Sequence, residues 1–116
     1  MHIDIKQDSK EEKILKVKTY LENILNTNVD VILNILDPRV NHFECFADIE
    51  NFSEITNRYP TAIVEEDKIR FTSEDDRHIF FTIYKVEESK KQELIDQIQK
   101  EFEEQKQKAL EDRVKY

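Results

Sequence analysis

Three histidines (His2, His42 and His78), twenty-six carboxylates and one thiol, Cys45, are the side chains of this 116-residue chain best suited to chemistry. Acid–base or metal-assisted catalysis needs two carboxylates, or a histidine and a carboxylate, held together on rigid elements. The spacing gives such a centre little support. There is no His-x-x-x-His pair, and His78 stands one residue before a Phe-rich run. Glu66 and Asp67 form one acidic cluster and Glu74, Asp75 and Asp76 another. Consecutive turns of a meander lie at opposite ends of its sheet, so the two clusters read as solvated turns a strand length apart. Nucleophilic catalysis would need Cys45 or a serine beside a base. Cys45 alternates in phase with Phe43 and Ala47, which makes it a small core residue, and the serines are explained by caps and turns. The expectation is a non-enzymatic protein with no catalytic or metal-ligating residues and no cofactor.

Glycine is absent, where average usage of about 7% would place roughly eight. A phosphate-cradling loop, a dinucleotide fingerprint and an EF-hand loop all require it, so these classes are excluded. Turns fall instead to residues that tolerate left-handed backbone, with Asn26, Asn28, Asn41 and Asn57 at the expected positions. A single cysteine cannot form an internal disulfide, and no thiolate cluster exists for zinc or iron–sulfur. Met1 to Gln7 contains Asp4 and no apolar run, which does not read as a signal peptide. No stretch of 18 apolar residues is present to cross a bilayer. The cytoplasm is the expected location, and the Lys, Ile, Asn and Glu bias suits an AT-rich bacterial or phage genome.

Net charge is −8, unevenly spread. Residues 1–26 carry five acids and five bases, residues 27–86 twelve acids and six bases, and residues 87–116 nine acids and seven bases. The acidity therefore belongs to the middle of the chain, which repels nucleic-acid phosphate and steers toward basic protein surfaces. Direct nucleic-acid binding is not expected.

Periodicity predicts the helices and strands around these groups. Met1, Ile3 and Ile5 alternate as a short strand would. Ser9, with Glu12 three residues on, has capping-box spacing, and Ile14, Val17, Leu21, Ile24 and Leu25 then give one apolar stripe, so a helix is predicted over 10–26. Thr27 and Asp30 offer a second cap before Val29, Ile32, Leu33 and Leu36 at helical spacing. That segment is read as a helix stopped by Asp37 and Pro38, although Val29, Val31 and Ile35 also suit a strand. Phe43, Cys45, Ala47 and Ile49 alternate as a strand over 42–49, and Phe52, Ile55 and Tyr59 place a short helix over 50–58. Runs 61–65, 68–72 and 77–86 read as an antiparallel meander. Acid-to-base pairs four apart, at Glu87–Lys91, Asp96–Lys100, Glu104–Lys108 and Glu111–Lys115, support a long terminal helix over about 88–115. Leu94, Ile95, Ile98 and Phe102 supply its apolar face, and its polar second half is free to project. The predicted fold is one two-layer α+β domain over 1–116: an antiparallel sheet of about three to five strands packed on an N-terminal helix and a long C-terminal helix.

One feature resists this simple layering. Ile79, Phe81 and Ile83 point one way from their strand while Phe80, Thr82 and Tyr84 point the other, and Phe46 lies opposite Phe43 and Cys45. Either a helix covers the second face, or Phe46, Phe80 and Tyr84 form an aromatic patch rimmed by Glu44 and Asp48. Such patches tend to be protein interfaces. The expected function is a small acidic module that binds and masks or inhibits a larger, basic-surfaced protein through Phe46, Phe80, Tyr84, Glu44 and Asp48. A nucleic-acid mimic, with carboxylates spaced like phosphates, is one alternative, and a small metal-dependent or acid–base enzyme another. Homodimerisation through the C-terminal helix is compatible with all three.

Overall fold

The computed structural model describes residues 8–35, 39–73 and 78–114, with side chains through residue 107. The expected first strand, the stop at Asp37 and Pro38, the cluster at Glu74 to Asp76 and His2 lie outside the described residues.

Helix α1 spans Lys10–Leu25 and begins as its sequence dictates, with the Ser9 hydroxyl accepting from the Glu12 amide at 3.2 Å. Asn26 ends it in the left-handed conformation (φ 54°), its amide donating to the Glu22 carbonyl. That is the role a glycine commonly fills, taken by the residue that best tolerates positive φ in its place.

The chain then reverses into strand β1, Val29–Asn34, and not into the helix that the Thr27 cap spacing suggested. Two causes outweigh the helical spacing. Only three residues separate the end of α1 from Val29, and the β-branched run Val29, Val31 and Ile32 pairs along its whole length with β2, Asn41–Ala47. Helix α2, Ser53–Arg58, is followed by β3, Ile63–Val64, β4, Lys68–Thr72, and β5, Ile79–Lys85. A 3₁₀ turn, Glu88–Lys90, leads into α3, Lys91–Val114.

Among the described residues the sheet has five strands in the order β1-β2-β5-β4-β3. The meander β3, β4, β5 is antiparallel as expected, and so is β1 against β2, but β2 and β5 run parallel, so the sheet is mixed. A parallel neighbour needs a long crossover, which the α2-to-β4 stretch supplies.

The fold is α+β, with helices α1 and α2 layered on one sheet face. Val17, Leu21, Val29, Phe43, Cys45, Ile55, Ile69, Phe81 and Ile83 are all buried there. Across strands β2, β5 and β4 the rings of Phe43, Phe81 and Phe71 stack in series at 5.7 and 5.0 Å, and Tyr59 closes the row on Phe71 at 4.4 Å. Offset stacking at these separations adds to area burial. Tyr59 also shares a 2.6 Å hydrogen bond with the Tyr20 hydroxyl of α1, which in turn accepts from Arg58 Nε at 2.8 Å, tying both helices together.

The first half of α3 lies on the opposite face, where Ile95 and Ile98 bury Phe46 together with parts of Ile32, Tyr84 and Leu94. Two polar contacts fix its start: Asp48 accepts from the Glu88 amide at 3.2 Å, and buried Lys91 reaches Glu88 at 2.9 Å and Asp30 at 3.4 Å. Burial works against the Lys91 charge, but the hydrogen bond it donates to Glu88, together with the Asp30 carboxylate, outweighs this and raises the pKa. Beyond Phe102 the described side chains of α3 are exposed.

Candidate functional site

The second sheet face is read in rows across the strands. Nearest the start of α3 lie Asp30, Phe46, Tyr84 and Lys68; then Ile32, Glu44, Thr82 and Arg70; then Asn34, His42, Phe80 and Thr72. Helix α3 covers Phe46 and packs on parts of Tyr84 and Ile32. Past that cluster, polar and aromatic side chains border open grooves.

One groove of about 370 Å³ runs between the sheet and the middle of α3 and is lined by Asn34, His42, Glu44, Tyr84, Glu101 and Phe102, among others. A second, of about 430 Å³, lies over β4 and β5, with Ile63, Arg70, Thr72, Phe80 and Thr82 on its walls. His42 and Val40 border both, so the two form one continuous depression.

The five expected interface residues are divided by this arrangement. Phe46 is fully buried under α3, stacked on Tyr84 at 5.1 Å, and Asp48 serves the start of the helix. Glu44 and Tyr84 line the first groove and Phe80, 39% exposed, the second. Sequence reasoning weighed His42 only as a possible catalytic histidine and missed Arg70, Thr82, Asn34 and Glu101 as groove residues. Their common signal is cross-strand register, which requires the strand order.

The polar core of the depression is a set of short contacts. His42 Nε2 is 3.0 Å from Thr82 Oγ1 and 3.9 Å from Glu44 Oε1, while the Asn34 side-chain amide donates to Glu44 Oε2 at 3.1 Å. Glu44 is only 8% exposed. Burial raises its carboxyl above the usual range and nearby Glu101 adds to this, with Lys68 and Asn34 opposing. Burial lowers the imidazole pKa of His42, and Arg70 lowers it further. Each group is thus pushed toward its neutral form. Tyr84 is raised as well, by burial and then by Glu44, Asp67, Glu101 and Glu65, so its hydroxyl stays protonated.

The sign of this tuning gives a test. A carboxyl whose folded pKa exceeds its unfolded value binds more protons folded than unfolded, so its ionisation erodes stability as pH rises through that interval. Glu44→Gln, which keeps the shape and the contact with Asn34, should raise unfolding free energy at pH 7. The gain should vanish by about pH 3, below the ordinary glutamate pKa of about 4.3, where both states carry a protonated Glu44. Urea titrations of both proteins at the two pH values check this; a variant less stable at pH 7 would show that the ionised carboxylate is the favoured form.

The remaining candidates behave as ordinary structure. Cys45 is fully buried, with burial and then Glu44 pushing its thiol pKa up, so it is no nucleophile. Glu66 and Asp67 sit in the exposed connection between β3 and β4. Among the described residues no three His, Cys, Asp or Glu side chains are grouped to hold a metal ion, and no helix is long and apolar enough to cross a membrane. No family model, curated protein or solved structure matches the chain.

Proposed function

We propose that this chain is a non-enzymatic binding module that holds a segment of a larger protein in the depression formed by His42, Glu44, Arg70, Phe80 and Tyr84, and so masks or inhibits that protein. The observation carrying this reading is the half-covered sheet face: α3 seals Phe46 and stops short of Phe80, leaving an aromatic ring 39% exposed beside a groove of about 430 Å³. Concave apolar surface with a few convergent polar groups is the usual form of a binding site. The net charge of −8 favours a partner with a basic surface and fast, salt-sensitive encounter. A cytoplasmic setting belongs to the same reading, since the lone Cys45 is a buried thiol.

Phe80→Asp is the decisive variant, because its side chain supports little of the core. Affinity capture from lysate of the source organism should recover one stoichiometric protein with the wild-type chain, less of it as salt rises, and none with Phe80→Asp at unchanged melting temperature. Undiminished capture by Phe80→Asp would remove the groove as the binding surface.

One observation favours an acid–base enzyme as second reading: His42 and Glu44 meet in a groove of about 370 Å³. Thr82 already engages His42 Nε2, and both titrating groups are tuned toward neutrality by burial. The nucleic-acid mimic fares less well, since Lys68 and Arg70 both reach Glu65 and break its acidic face.

A further inference from the structure

The two oxygens of Glu44, a residue only 8% exposed, differ in what they reach. Oε2 accepts from the Asn34 side-chain amide at 3.1 Å. Oε1 lies 3.9 Å from His42 Nε2, beyond hydrogen-bond range, and that nitrogen is already engaged by Thr82 Oγ1 at 3.0 Å. Among the described residues, none donates a hydrogen bond to Oε1. The groove that Glu44 lines, of about 370 Å³, has a second carboxylate on its opposite wall, Glu101 of α3, and no lysine or arginine among its described lining residues. Lys68 and Arg70, the basic side chains that β4 sets on this sheet face, turn to Glu65 at 3.8 and 3.4 Å. A carboxylate withdrawn from water without an opposite charge is costly. Here that cost falls on a group bordering an open groove.

We infer that this groove is an arginine pocket: it takes the guanidinium of an arginine in the bound protein segment, the head group between Glu44 Oε1 and Glu101 and the stem along Ile98 and Phe102. The inference rests on the reading of the depression as a protein-binding surface and names the side chain that anchors there. Charge complementarity selects a cation, because both charged groups lining the groove are carboxylates. Chemistry selects arginine over lysine. A guanidinium spreads several N–H donors over one plane, so it can serve two carboxylates at once, and it leaves water more readily than an ammonium. The other polar groups do not oppose it. Burial and Arg70 keep His42 neutral at pH 7, and the protonated Tyr84 hydroxyl is free to accept. A cation beside Glu44 also favours its ionised form, which reverses the upward push that burial and Glu101 exert on its carboxyl. The adjoining groove over Phe80 has Arg70 as its one charged lining residue among those described. The same segment therefore sets an apolar residue, and not a second base, beside the arginine.

Titration of the full chain with n-butylguanidinium, followed by carbon-13 resonances of the glutamate carboxyls, tests this without the partner. The expected result is a saturable shift at Glu44 and Glu101, half complete at about 1–10 mM, the range for so small a ligand, with the Glu44 pKa moving down. Butylurea, which has the same shape and no charge, should bind at least about tenfold more weakly. Glu44→Gln, which turns an N–H toward the cation, and Glu101→Gln should each weaken butylguanidinium about tenfold. Glu101 is exposed, so its variant carries the test should Glu44→Gln fail to fold. Absence of saturation by about 50 mM, equal binding of butylurea, or binding undiminished in Glu101→Gln each overturns the inference. A failed titration alongside capture that Phe80→Asp still abolishes removes the arginine pocket and leaves the protein-binding surface standing. Undiminished capture by Phe80→Asp strikes that surface instead, and a saturable titration then still places a guanidinium between Glu44 and Glu101.

Discussion

Replacing Phe81 with alanine should lower the unfolding free energy by about 3–5 kcal/mol, the range for deleting a large buried aromatic, against a total of only about 5–15 kcal/mol for an ordinary domain. Phe81 lies in the central strand β5 and is 1% exposed. Its ring is stacked on both sides, by Phe43 of β2 and Phe71 of β4. Truncation thus opens a cavity in the middle of a row whose outer members are held by strands on either side and cannot collapse into it. Phe80 is the internal control. It is the next residue along the chain but projects from the other face, 39% exposed, so Phe80→Ala should change stability by less than about 1 kcal/mol. Urea unfolding of the two variants, read as midpoints at constant slope, separates them. Similar losses from both would mean that the row of rings does not organise the core.

That contrast is legible in the sequence, because alternation alone puts Phe80 and Phe81 on opposite faces and Phe46 opposite Phe43. Local chemistry was legible too. Ser9 and Glu12 announced the start of α1, and Asn26 took the left-handed turn that a glycine-free chain must assign to asparagine. What failed depended on partners distant in sequence. Val29 to Leu33 satisfies a helical spacing and a strand equally well, and pairing with β2 decided between them. The parallel run of β2 beside β5 could not be read from the meander pattern, since each half of the pair looks the same whichever neighbour it has. The candidate site was hidden for the same reason. Glu44 and Thr82 are adjacent only because β2 and β5 are neighbours in register, and His42 meets Phe80 by the same pairing. The excess of apolar residues on both strand faces did signal that the second face was special. It resolved into two zones, one sealed by α3 and one left open, a division set by where the apolar face of α3 ends.

Phe46→Ala should act differently from Phe81→Ala, releasing one element and leaving the rest folded. Helix α3 meets the sheet through a small cluster in which Phe46, Ile95 and Ile98 are buried and Ile32, Tyr84 and Leu94 partly so. Burying two isoleucines contributes about 3–6 kcal/mol at most, and the chain entropy of ordering the helix opposes it. The exposed side chains that follow Phe102 add nothing to docking. Phe46 is the common floor of the cluster and is fully buried, so its removal leaves Ile95 and Ile98 facing a void. The Lys91 and Asp48 contacts hold only the first turn of the helix, which a separated helix in water cannot extend with much stability. The expected result is fast amide exchange and protease cleavage within residues 92–107, with slow exchange preserved in β2 and β5 and near-native dichroism from the sheet. Undocking also removes Glu101 and Phe102 from the wall of the groove beside Glu44. Glu44 then regains water and its carboxyl pKa should fall back toward the ordinary range. A Phe46→Ala protein in which Ile95 and Ile98 keep wild-type protection would show that α3 is fixed by its polar start, and that the groove stands without the aromatic floor beneath it.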